Sequence, residues 1–343
     1  MHRLPHPASA LRLATRIAGC AALLGALVLW GCDGPRAPGD VESPAAPLAP
    51  GADLEGASPQ ARFYPLEIGN RWHFDRNSVL EFFPPGSTDP TGTDEFHAEV
   101  EHVLDQTEEL FGRTYVVESW TIVQDFPLPD VVHNWVRYRQ DQSGLYEADV
   151  ALNDPPGSAK ATVAADGARE PEVWTAADLN AFGAAAAAHP ESFRRALVEI
   201  ERRRLQLRGA LRGERVAAPP GGVLSDEITR LRYPLHPGEV FPIRVGLLDA
   251  HVEALEQLVT PAGTFPAWRF RLVWGFPDFE DTILTWYSRC GYLKLYFQGE
   301  STVTAPDGTV LGTMKFEEVE VLDDLDVQGR PCGNRPGRPV LDD

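Results

Sequence analysis

The chain has 343 residues, 43% of them hydrophobic, with 31 Lys+Arg against 50 Asp+Glu and a formal net charge of −19. That length and apolar content supply a sizeable core, in one large domain or two small ones. So acidic a chain does not seek nucleic acid, whose phosphates call for basic side chains.

Arg3, Arg12 and Arg16 precede the first acidic residue, Asp33, and Ile17 to Trp30 is an apolar run of 14 residues. A basic start followed by a short apolar core is the pattern of a signal peptide. The run falls short of the roughly 20 residues that a membrane-crossing helix needs. It ends in Leu29-Trp30-Gly31-Cys32, which resembles a bacterial lipobox. Leu29, Gly31 and Cys32 fit that pattern, while Trp30 stands where a small residue is usual. The resemblance implies a signal peptide over residues 1–31, acylation of Cys32 with chains such as palmitate, and an extracytoplasmic protein held to a membrane by its lipid anchor. The alternatives are an ordinary secretory signal cut elsewhere and an uncleaved anchor. Asp33 resembles the inner-membrane retention signal of enteric bacteria, a rule that transfers poorly, so inner against outer membrane stays open.

Removing residues 1–31 takes away three Arg and no acid, leaving 28 Lys+Arg, 50 Asp+Glu and a net charge of −22. Such acidity suits solubility on a crowded envelope surface. Of the four cysteines, Cys20 leaves with the signal peptide and Cys32 takes lipid. Cys290 and Cys332 remain as an expected disulfide in an oxidising compartment, the alternative being two free thiols.

Residues 32–60, rich in Pro, Ala and Gly, read as a flexible tether. From 61 to 150 the pattern is strand-like. Phe96 to Val100 alternates, Thr114 to Val123 is rich in β-branched and aromatic residues, and Asn134 to Arg139 alternates again. Residues 151–230 change to Ala, Arg and Glu at helical spacing, which predicts helices over about 175–188 and 191–208, with Pro190 at a helix start and Gly209 as a stop. Strands return over 231–325, with a hairpin turning at Thr260-Pro261-Ala262-Gly263-Thr264-Phe265. Residues 326–343 form a C-terminal tail. The expected fold is mainly β, an antiparallel curved sheet or half-barrel made from two β halves with an α-helical insertion.

One frame occurs twice: Tyr64-Pro65-Leu66-x-x-Gly69-x-x-Trp72 and Tyr233-Pro234-Leu235-x-x-Gly238-x-x-Phe241. Pro fixes φ before a strand, Leu66 and Ile68 are placed to point into a core, Gly69 permits a tight turn, and Trp72 anchors the next strand. The alternative reading makes the frames aromatic lips of a ligand groove. Taken with the Pro261-Ala-Gly-Thr-Phe265 turn, Trp286-Tyr287-x-x-x-Gly291-Tyr292-Leu293-Lys294 and the strand Phe316 to Leu322, they resemble a widespread group of uncharacterised bacterial envelope proteins, often lipoproteins. The resemblance covers about residues 63–150 and 230–323; the Arg-rich middle departs from it. It implies architecture and location, and no chemistry.

Nucleotide loops, His-Glu-x-x-His, Cys-x-x-Cys and Gly-x-Ser-x-Gly are absent from the sequence, so no catalytic residue, cofactor or metal site is assigned. His97, Glu99 and Glu101 share one face of a strand and are the best cation candidate, against the reading of a solvated face opposite Phe96, Ala98 and Val100. Asp323-Asp324-Leu325-Asp326 lacks the glycine and terminal glutamate of a calcium loop. The run Arg194, Arg195, Arg202, Arg203, Arg204, Arg208, Arg212 and Arg215 reads as an exposed, salt-bridged helix through Glu191–Arg195 and Glu199–Arg203, or as a surface for anionic headgroups. The expected role is a non-enzymatic module that binds an envelope partner or structural component. The alternative is a carrier or sensor of an apolar small molecule in a concave sheet, and a third reading is an enzyme whose site the sequence does not disclose.

Overall fold

The computed structural model describes residues 63–124, 130–150, 155–157, 178–212, 227–275, 281–328 and 332. The expected signal peptide, Cys32 and the tether lie outside the described residues. Five strands come first: β1 (Arg71–Phe83), β2 (Gly92–Leu110), β3 (Arg113–Gln124), β4 (Asp130–Gln140) and β5 (Gly144–Ala148). A 3-10 turn (Asp178–Phe182), α1 (Gly183–Ala188) and α2 (Pro190–Arg212) follow. The sheet resumes with β6 (Glu227–Arg232), β7 (Val240–Arg244), β8 (Leu248–Thr260), β9 (Gly263–Trp274), β10 (Thr282–Ser288), β11 (Gly291–Thr304) and β12 (Val310–Asp326).

All twelve strands belong to one antiparallel sheet, in the order β6-β5-β4-β3-β2-β1-β12-β11-β10-β9-β8-β7. The first half winds out from β1 and the second winds back to it. β12 then pairs with β1 from Arg71↔Asp326 to Phe83↔Thr313. The two outer strands, β6 and β7, are consecutive in the chain and lie beside each other, yet no ladder joins them. The sheet is therefore a nearly closed barrel with one seam, more closed than the half-barrel expected.

Side-chain alternation sorts residues between inside and outside. On β1 the even-numbered residues Trp72, Phe74, Arg76, Ser78, Leu80 and Phe82 are buried, and on β12 Met314, Phe316, Glu318, Glu320 and Leu322 face them. Over this inner surface lies α2. Its Phe193 packs on Phe82 at 4.7 Å between ring centroids, and Ala196, Leu197 and Ile200 are buried along the same stripe. The helices differ from expectation at their ends: α1 is six residues long, and α2 runs through Gly209 to Arg212.

The two frames open the two halves in the same way. Gly69, at φ +99°, donates its N–H to the Leu104 carbonyl at 2.7 Å, and Leu104 donates back to Asn70 at 3.0 Å. Gly238, at φ +85°, donates to Val252 at 2.8 Å, and Val252 donates back to Glu239 at 2.9 Å. Positive φ at both turns requires glycine. Each partner is followed by a bulge, between Leu104 and Gln106 and between Val252 and Ala254. Tyr64 and Tyr233 thus stand at the same offset from their turns, although only the Tyr233–Pro234 peptide is cis, and they are linked through Phe63 and Gln140. The Tyr233 hydroxyl accepts from the Phe63 N–H at 3.2 Å and donates to the Gln140 side-chain oxygen, whose amide also bonds the backbone of Tyr64. Leu66 packs against the core, whereas Ile68 is 45% exposed and not a core residue as expected. Ile68 is itself in the turn, closed by the Asn70 N–H to the Glu67 carbonyl at 3.2 Å, and points to solvent.

Cys290, in the β10–β11 turn, is bonded to Cys332 with Cα atoms 5.7 Å apart. The Trp72 indole donates to the Cys290 carbonyl at 2.7 Å, so the bridge sits where the tail, the turn and the opening frame converge. A chain carrying Cys332→Ser is expected to lose up to about 4 kcal/mol of unfolding free energy, the loop-entropy figure for this separation. Urea unfolding of the two proteins measures it.

Candidate functional site

The inner face of the barrel carries charge, and its arrangement begins with strand register. Arg76 lies opposite Glu320 and Ser78 opposite Glu318 across the β1–β12 ladder. The Arg76 Nε donates to Glu320 at 2.7 Å and the Ser78 hydroxyl to Glu318 at 3.2 Å. From α2, Arg204 donates to Glu318 through Nε at 2.8 Å and Nη2 at 2.5 Å. The Tyr292 hydroxyl donates to the other Glu320 oxygen at 2.9 Å. Burial works against the charge on Arg76, but Glu320 and Glu318 outweigh it and hold its pKa above the ordinary value. A small cavity, about the size of a water molecule, opens beside this group between Arg76, Ser78, Phe96, Ala98, Gln124 and Arg204.

A second group centres on Glu118 of β3, which accepts from the Tyr64 hydroxyl at 2.6 Å and from the Trp120 indole at 2.6 Å. His102 is stacked on Trp120 with ring centroids 3.9 Å apart, and its Nδ1 stands 3.6 Å from Glu118. Neither ring nitrogen has a hydrogen-bond partner. Burial, then the Glu118 charge, pushes the Tyr64 hydroxyl well above its usual pKa.

The third group is at the seam. Arg230 of β6 donates through Nε to Glu147 of β5 at 2.6 Å, and both side chains are buried. The other Glu147 oxygen has no partner. Burial outweighs the neighbouring Arg230 and Arg244 guanidiniums and pushes the Glu147 carboxyl up to about 7. Tyr287 stands between the groups. Burial raises its pKa to about 12, and it senses Arg230, Glu147, Glu118 and Glu320. Tyr138 is its counterpart: the register Leu104↔Glu118↔Val136 and the register Val252↔Phe270↔Thr285 each place a tyrosine two residues further on.

Chemically, this is a set of carboxylates and guanidiniums whose partners are mostly one another. It can hold charge and share protons. Burying such pairs is costly, and removing one member costs far more than the pair is worth.

Of the sequence-assigned residues, Cys290 and Cys332 come together, and Cys32 lies outside the described residues. His97 pairs with Asp75 and Arg71 with Glu101 on the outer face. Among the described residues no three His, Cys, Asp or Glu are gathered as for a metal. The Arg-rich helix departs from the exposed reading. Arg202 and Arg194 do pair with Glu199 and Glu191 at i,i+3 on the surface. Arg203, 6% exposed, keeps the expected i,i+4 contact with Glu199 at 4.0 Å but is buried and also reaches Asp281 at 2.9 Å, and Arg204 pairs with Glu201 and with Glu318. The side chains of Arg208, Arg212 and Arg215 lie outside the described residues. The inner carboxylates escaped sequence reading although a signal was present: Glu318 and Glu320 share parity with Met314, Phe316 and Leu322, as Arg76 does with Phe74 and Leu80.

No family model matches the chain, and no curated protein matches it. Among solved structures, a Bacteroides fragilis protein described as exported and of YmcC-like fold is 12% identical over 77% of this chain and 98% of its own, with a TM-score of 0.31. A protein from Parabacteroides distasonis described as a lipoprotein is 11% identical over the same shares, with a TM-score of 0.26. Both likenesses are too loose to carry an argument about function.

The raised pKa of Glu147 has a definite sign. An acid titrating near 7 in the folded chain and at about 4.5 when unfolded binds an extra proton on folding between those values. Its contribution is fully present below about pH 4.5 and is lost as pH rises through 7. Glu147→Gln, which resembles the protonated carboxyl, is expected to change stability little below about pH 4.5 and to flatten the decline between about 4.5 and 7, read as the difference between wild-type and variant urea midpoints.

Proposed function

We propose that the protein is a lipid-anchored, extracytoplasmic envelope protein whose β domain serves as a non-enzymatic binding or structural module, of the kind its paired Tyr-Pro-Leu frames resemble. Location rests on Arg3, Arg12, Arg16, the apolar run to Trp30 and Cys32. The module reading rests on one observation, the occupied interior. Arg76–Glu320, Arg204–Glu318 and Arg230–Glu147 fill the barrel with mutually paired side chains, so recognition falls to the outer face and the rims. A second reading, a carrier or sensor of a small molecule, is favoured by a cavity beneath the seam.

Cys32→Ser is expected to move the protein from the membrane fraction to the soluble fraction. Mass spectrometry of the wild-type N-terminal peptide should find acylated Cys32; a chain starting elsewhere with unmodified Cys32 overturns the anchor. Native mass spectrometry of the domain from its own host separates the two roles. Recovery without a stoichiometric small molecule supports the module, and a retained one supports the carrier.

A further inference from the structure

The fold makes two junctions between its halves, and they differ. At one, β1 and β12 share a continuous ladder. At the other, β6 and β7 have no ladder, although the 233–239 loop ties their ends together. Side chains span this second junction. Arg244 Nη2 donates to Asp149 at 2.8 Å with both groups largely buried, and Arg232 pairs loosely with Glu239 at 3.9 Å near solvent. Behind the seam is a cavity lined by Arg230, Ile243, Ala250, Phe270, Leu272, Thr285 and Tyr287. Arg230 is on one lip and Ile243 on the other. The lining combines a guanidinium from β6 and two hydroxyls from β10 with apolar side chains from β7, β8 and β9.

We propose that the β6–β7 seam is a gate, and that its parting admits a small amphipathic molecule with an anionic or hydrogen-bond-accepting head to the cavity behind it. The head faces Arg230, Thr285 and Tyr287, and the body lies against Ile243, Ala250, Phe270 and Leu272. Parting β6 from β7 breaks no ladder between them, whereas parting β1 from β12 breaks thirteen residues of pairing. With the seam closed the cavity is about the size of a water molecule. Because two of its walls ride on opposite lips, opening the seam enlarges it directly. The unpartnered Glu147 oxygen lies beneath the same lip, on the partner of Arg230. The identity of the guest rests on the carrier reading; the gate does not.

Access can be timed with a buried thiol. In a chain carrying Cys20→Ser and Cys32→Ser, with Cys290 and Cys332 bonded, Thr285→Cys places a single free thiol in the cavity. Met314→Cys, fully buried beside β1, is the control. The probe is dithiobis-nitrobenzoate, an amphipathic aromatic dicarboxylate. Thr285→Cys is expected to react about tenfold or more faster than the control in native buffer. Adding Arg244→Ala should raise its rate about tenfold again and leave the control unchanged. Equal rates at the two sites, or equal acceleration of both by Arg244→Ala, overturn the gate. Should Thr285→Cys not fold, Ala250→Cys, which lines the same cavity from β8, serves in its place. A gate upheld here beside ligand-free native mass spectra rejects the carrier role alone.

Discussion

The antiparallel ladder between the last strand and the first is the constraint on which the rest of the structure depends. Once β12 lies against β1, the two six-stranded halves must run outward on either side of that junction. The chain segment joining them must then connect the outermost strands. β6 and β7 are brought together because the chain is continuous, and short strands with Pro242 in one of them make a poor ladder. One junction is held by backbone hydrogen bonds and the other by side-chain charge, and the barrel's behaviour follows from that asymmetry.

Strand register carries this constraint into the interior. Because inward positions alternate, Arg76 meets Glu320 and Ser78 meets Glu318 as a direct consequence of the same ladder. Arg204 closes the group from the helical insertion, so the insertion is part of the core. Buried ion pairs are weak sources of stability, and a polar network whose members are all satisfied favours one arrangement of the core. A slip of one residue between β1 and β12 would turn Arg76 outward and leave Glu320 buried without it, so the charges penalise wrong registers. The orphan oxygen of Glu147 and the ring nitrogens of His102, which make no hydrogen bond, mark where that satisfaction is incomplete, and the former lies at the seam.

Much of the fold was legible because it depends on local pattern. Alternation around Phe96–Val100 and Thr114–Val123, glycine in the two frames, and Pro190 ahead of an apolar stripe all report local backbone preference, and the structure follows them. The exposed reading of the Arg helix failed for Arg203 and Arg204. The i,i+4 pair of Arg203 with Glu199, visible in a linear sequence, is present, but the partners that bury these side chains, Asp281 and Glu318, are 78 and 114 residues away. The inner carboxylates were hidden for the same reason. A glutamate within a strand reads as solvent-facing until a partner on another strand is known to stand opposite.

By itself the sequence determined the β character of the chain, the helical interruption, the glycine-dependent openings of both halves, and the N-terminal features on which the lipid-anchor proposal rests. These follow from backbone preference, side-chain periodicity and composition, properties carried by neighbouring residues. Only the tertiary structure decided that the halves form one sheet, that its interior is charged, and that its two junctions are unequal. Those outcomes depend on which distant strands pair and in what register, through contacts between residues as far apart as Arg76 and Glu320.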